Sequence, residues 1–94
     1  METENRVLLD GEWDMARREE LDALFSRLKT DAPATIDLRT CTFVDSTVLS
    51  ALVTLRARFA ATPMTLLGPS PQLQKILRIA NFERLFEIRD HAPD

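Results

Sequence analysis

Four short apolar runs alternate with three amphipathic patterns along the chain. The runs are Val7-Leu8-Leu9, ended by Asp10-Gly11; Thr35-Ile36-Asp37-Leu38, introduced by Pro33; Met64-Thr65-Leu66-Leu67, between Pro63 and Gly68; and Leu85-Phe86-Glu87-Ile88. Each is short and flanked by turn formers, as strands are. Between the first two, Leu21, Leu24, Phe25 and Leu28 recur at i, i+3, i+4 and i+7. That spacing predicts a helix over Met15–Thr30 with Asp14 as its N-cap. Leu49, Leu52, Val53, Arg56 and Phe59 repeat the rule, and Val48 and Leu55 widen the apolar surface. This second helix is expected to be the most buried. Ser70-Pro71 supplies an N-cap and an N1 proline for a third helix carrying Leu73, Ile76, Leu77 and Ala80.

The resulting order is βαβαβαβ. Strands joined by helical crossovers run parallel or nearly so, with right-handed connections, so the expected fold is α/β with a mixed, mostly parallel sheet of four or five strands. The 94 residues are expected to form one domain, 1–94, because a chain this short buries only about 60–65% of its unfolded surface even as a single unit. Met1–Asn5 and Asp90–Asp94 read as loose ends.

Charge and composition narrow the function classes. A net charge of −3 argues against nucleic-acid binding, which draws its affinity from basic residues on phosphates. No apolar run approaches the roughly 20 residues of a membrane span, and Met-Glu-Thr-Glu-Asn is unlike a signal peptide. Cys41 is the single cysteine, so no internal disulfide forms and a reducing compartment fits. The expectation is a cytoplasmic protein without direct membrane insertion.

The inventory of reactive groups is equally restrictive. Gly11 and Gly68 are the two glycines, so there is no glycine-rich phosphate loop. His91 and Cys41 each stand alone, which does not make a metal site. Ser46 lies outside a G-x-S-x-G elbow, and the single histidine sits in the tail. Cys41 reads as a small space-filler. A non-enzyme with no cofactor and no metal is expected.

The informative segment is Ile36 to Leu52. A strand ends, a polar loop follows, then Phe43-Val44, then Asp45-Ser46-Thr47 directly before an apolar helix. One N-cap needs one such side chain, Asp45 or Ser46, and contributes about 1 kcal/mol. The remaining groups are free for another task. Loops after the strands of an α/β fold gather on one rim, where ligands and partners bind. A phosphate on a hydroxyl in a helix's first turn is tolerated by the free N–H groups, yet adds close to two negative charges beside Asp45. Such a modification reverses the electrostatics of a surface without disturbing the fold.

Val44-Asp45-Ser46-Thr47-Val48-Leu49 resembles the Asp-Ser-Ser-Gly-Leu signature of STAS domains, the fold of bacterial anti-sigma factor antagonists. The resemblance covers nearly the whole chain. Asp10-Gly11-Glu12-Trp13-Asp14 is similar to the family's Gly-Glu-Leu-Asp, and Ile36-Asp37-Leu38 to the strand before its phosphorylation loop. Leu67-Gly68-Pro69-Ser70-Pro71 and Asn81-Phe82-Glu83-Arg84-Leu85-Phe86 look like its later elements. Val48 stands where the family usually has glycine, and the family's first strand would fall within Met1–Arg6 or be missing.

The resemblance implies a protein that binds a partner-switching anti-sigma factor, itself a serine kinase, and so regulates sigma-factor-dependent transcription. Phosphorylation of the serine ends the binding. Carried onto this chain, Ser46 is the phosphoacceptor, with Thr47 a secondary one. Asp45 shapes the loop and docks the kinase, and Asp14 contacts the same partner from the adjacent rim. ATP and Mg²⁺ come with the kinase. Two other readings stand beside this one: a STAS accessory subunit of a bacterial ABC-type lipid transport system, and a domain that acts only as a structural partner. Trp13 is read either as a partly buried core aromatic or as an interface anchor. Arg56 and Arg58 are too far along the second helix to pair with a phosphate on Ser46.

Overall fold

The computed structural model describes residues 5–59 and 61–90. Met1–Glu4, part of the segment to which the resemblance assigns a first strand, lie outside the described residues, as do Ala60 and residues 91–94 with His91. The two expected loose ends therefore fall largely outside them.

The main sheet holds β1 (Arg6–Leu8), β3 (Ala34–Asp37), β5 (Met64–Leu67) and β6 (Glu87–Arg89), in the order β1-β3-β5-β6. Every pairing is parallel, with Val7, Ile36, Leu66 and Ile88 in one register row. Each crossover steps one strand in the same direction. Right-handed connections of that kind lay all three helices, α1 (Arg18–Ser26), α2 (Ser46–Ala57) and α3 (Pro71–Ile79), on one face. Val7, Ile36 and Leu66 share a single core cluster with Leu21, Phe25, Leu52, Leu55 and Leu77 from the helices. The opposite row, Arg6, Thr35, Thr65 and Glu87, is half-buried to exposed.

The α/β architecture and crossover order follow the pattern read from the sequence, with one addition. The first two strands both continue past a break. After β1 the chain forms β2 (Gly11–Trp13), and after β3 it forms β4 (Cys41–Val44), and these two pair in parallel as a separate ribbon. Leu9 N–H to Asp37 O (3.0 Å) and Gly11 N–H to Thr40 O (2.9 Å) bridge the break. The register shifts between Gly11 and Glu12, and Gly11 takes φ = 84°, a conformation glycine adopts without a Cβ penalty.

The helices differ from expectation in their bounds and faces. The segment predicted as one helix over Met15–Thr30 begins as a 3-10 turn, Met15–Arg17, capped by Asp14, and only then becomes α1. Beyond Ser26, Leu28 still reaches the core from the following turn. In α2 the buried stripe is Val48, Ala51, Leu52 and Leu55, with Phe59 one turn beyond, rather than a stripe through Val53, which is exposed. It is nevertheless the helix with the most buried residues. In α3, Leu73 and Leu77 are buried while Ile76 and Ala80 are exposed, because a nine-residue helix on a sheet edge buries only a narrow stripe. Ser70 caps α3 through Leu73 N–H, with Pro71 in its first turn, as predicted. Arg56 ties the end of α2 to the segment before β6, donating to Leu85 O (2.6 Å) and Phe59 O (2.5 Å).

Candidate functional site

The site is built where the β2-β4 ribbon ends. Trp13 pairs with Val44 in the last register position, so the next residues, Asp14 and Asp45, emerge side by side at the C-terminal ends of parallel strands. Each carboxylate caps the helical segment after it. Asp14 Oδ1 accepts from Ala16 N–H at 2.9 Å, and Asp45 Oδ1 accepts from Val48 N–H at 3.1 Å. Asp45 also reaches across. Its Oδ2 accepts from Met15 N–H at 3.1 Å, and its own N–H donates to Trp13 O at 3.2 Å. The two residues flanking Asp14 are thus both bonded to Asp45, which fixes Asp14 beside the start of α2.

Ser46 is the first residue of α2, and its side chain is exposed. Thr47 follows, half-buried, and Val48 is buried against the core. A valine at that place is therefore a packing residue pointing inward. The structure brings Asp14, Asp45, Ser46 and Thr47 together on one rim. Met15, 70% exposed, joins them and was not singled out by sequence reasoning.

Trp13 is in the core, 1% exposed, with its Nε1–H on Asp10 O (3.0 Å). That removes it as an interface anchor. The Arg17 guanidinium lies 3.5 Å from the centre of the Trp13 ring and donates to Asp10 O, Glu12 O and Glu20. The bulged turn after β1 is thereby pinned from outside. Cys41 is buried, and desolvation pushes its thiol pKa up, which suits a space-filler and opposes a reactive thiolate.

A second polar cluster lies at the end of β3. Asp37, the only buried charged residue among those described, is 3% exposed and pairs with Arg6 (2.6 Å) and Arg39 (2.7 Å). It also accepts from Arg39 N–H. The hydrogen bonds from Arg39, ahead of the opposing effect of burial, hold its carboxyl at a pKa of about 2. The Arg39 chain crosses directly over Gly68, which takes φ = 64°. A carboxylate inside the otherwise apolar Ile36-Leu38 run was the signal available in the sequence. Its partner Arg6 lies 31 residues away and gave none.

Among the described residues no group of three or more His, Cys, Asp or Glu is placed to hold a metal, and no helix is long and apolar enough to cross a membrane.

Comparison with known proteins places this geometry. Residues 2–88 match the family model described as "Mlab, STAS domain". A STAS-domain containing protein of Pseudomonas aeruginosa strain UCBPP-PA14 is 32% identical over 85 residues, covering 87% of this chain and 84% of that protein. Two solved structures share the fold. One is a Thermotoga maritima protein assigned as an anti-sigma factor antagonist, with TM-score 0.78, 16% identity, and coverage of 94% of this chain and 81% of that one. The other is the anti-sigma factor antagonist SpoIIAA in its unphosphorylated form, with TM-score 0.69, 20% identity, and coverage of 98% and 86%.

Proposed function

The chain belongs to the STAS domain family, and from that premise we propose that it is an anti-sigma factor antagonist switched by phosphorylation of Ser46. In this reading it binds, in the cytoplasm, a partner-switching anti-sigma factor that is also a serine kinase. Binding frees the sigma factor for transcription, and phosphorylation of Ser46 ends the binding. The observation that carries the reading is that exposed Ser46 directly follows Asp45, whose two carboxylate oxygens both accept from backbone N–H groups. The acceptor is thus presented on a rigid rim, next to Asp14 and Asp45.

The kinase brings ATP and Mg²⁺. The Ser46 oxygen takes the γ-phosphoryl group as the bond to ADP breaks, and its proton leaves to a base of the kinase. The dianion then stands beside two carboxylates, so a partner surface that faced a neutral hydroxyl at Ser46 now meets about two further negative charges. Phosphopeptide mapping of the protein isolated from its host tests this. Phosphate on Ser46 is the expected result, and phosphate on Thr47 alone contradicts the assignment.

A second reading is the accessory subunit of an ABC-type lipid transport system, a class of protein that shares the STAS domain of the matched family model. There the same rim binds the nucleotide-binding subunit, and an acidic replacement at Ser46 leaves that complex in place.

A further inference from the structure

Three large apolar side chains that ought to be covered stand exposed around one groove. Phe43 on β4 is 51% exposed, Ile76 on α3 is 42% and Ile79 is 85%. With Val44, Leu73 and Lys75 they line a depression of about 530 Å³ between β4 and α3. Lys75 is the one charged residue in the lining, and it makes no ion pair among the described residues. The whole of α3 carries Lys75 and Arg78 and no acidic residue, although the chain as a whole is acidic. An apolar floor with an unpaired cation is complementary to an apolar ridge flanked by carboxylates.

We propose that this groove docks an amphipathic, acid-flanked helix of the partner protein. A second copy of this chain fits less well, because a two-fold contact sets the same patch against itself and brings Lys75 toward Lys75. The groove is also continuous with the switch. Its wall residue Val44 precedes Ser46 by two positions, at most about 7 Å along the backbone, inside the ~8 Å screening length of physiological salt. A phosphate on Ser46 adds negative charge near that end of the groove and is expected to weaken the hold on an acid-flanked helix. That coupling, and the identity of the helix's owner as the kinase, rest on the proposed Ser46 switch; the groove's preference for acidic helices does not.

The test uses the full-length chain and two synthetic helical peptides of about 16 residues with identical leucine ridges, one flanked by glutamates and one by lysines. Amide chemical shifts of the isotopically labelled protein are followed during titration. The glutamate peptide is expected to shift residues 42–44 and 72–79 and to bind about five-fold more tightly than the lysine peptide. Lys75→Glu is expected to reverse that order. Ile79→Lys, at a position exposed enough to leave the fold intact, is expected to abolish binding with an unchanged melting temperature. Equal binding of the two peptides, or shifts confined to another face, overturns the proposal. So does a concentration-dependent dimer that Ile79→Lys dissolves. None of these readouts involves Ser46, so failure of the switch and failure of the groove are separable.

Discussion

Asp45 Oδ2 lies 3.1 Å from the backbone nitrogen of Met15, thirty residues earlier in the chain. Because the other carboxylate oxygen caps α2 through Val48, one side chain locks the 3-10 turn after β2 to the start of α2. The cap and the crosslink are the same residue, so the rim bearing Asp14 and the hydroxyl of Ser46 are held in one relative position.

Replacing Asp45 separates those two tasks. Asp45→Asn keeps one acceptor oxygen, so it retains the Val48 cap and loses the Met15 bond. It is expected to cost well under the ~1–2 kcal/mol of Asp45→Ala, which loses both. Urea unfolding measures the difference. Amide exchange at Met15 is expected to speed up in both variants, while exchange at Val48 speeds up only in Asp45→Ala.

The Asp37 cluster makes part of the fold's stability depend on pH. Its carboxyl titrates at about 2 in the folded protein against an ordinary 3.8, chiefly through the hydrogen bonds from Arg39. The folded state therefore binds this proton less readily than the unfolded chain. The contribution to stability is complete above about pH 5 and is lost as pH falls through about 2. With Arg6 and Arg39 partly in water, it is on the order of 1–2 kcal/mol. Urea unfolding between pH 7 and pH 2 is expected to show that loss in the wild type and a flatter profile in Asp37→Asn.

Gly68 is a backbone requirement. Its φ of 64° suits glycine, and a Cβ there would collide with the Arg39 side chain where it crosses. Gly68→Ala is expected to destabilise the fold by about 1–3 kcal/mol. Part of that loss comes from displacing Arg39, so adding Arg39→Ala is expected to cost less in the Gly68→Ala background than in the wild type. A double-mutant cycle by thermal or urea unfolding gives the coupling.

What the sequence made legible was local. Asp14, Asp45 and Ser70 each cap the element that follows, because capping depends on a side chain and N–H groups two or three residues away. The strands at Met64–Leu67 and Ala34–Asp37 stood out because Pro63 and Pro33 mark their starts and their residues are apolar. The β2-β4 ribbon was hidden: Asp10-Gly11 reads as the end of a strand, Cys41-Thr42 reads as part of a polar loop, and Gly11–Trp13 and Cys41–Val44 are strands only because each lies beside the other. The same holds for the site. Ser46 could be found from its neighbours in sequence, whereas the Met15–Asp45 bond, the Arg6–Asp37–Arg39 cluster and the groove at Phe43, Ile76 and Ile79 exist only once distant segments meet. The exposed Ile76 shows the cost of relying on periodicity alone: it lies on the amphipathic stripe, and the fold leaves it in water.

The central claim is that the charge on Ser46 decides partner binding while leaving the fold untouched. The direct measurement is capture from host extract on three baits, wild type, Ser46→Ala and Ser46→Asp, after thermal unfolding has shown all three stable to within about 0.5 kcal/mol of one another. The account predicts that a kinase-like anti-sigma factor is retained by wild type and Ser46→Ala and lost by Ser46→Asp. Equal retention of transporter subunits by all three baits would contradict it and assign the rim to the transport reading.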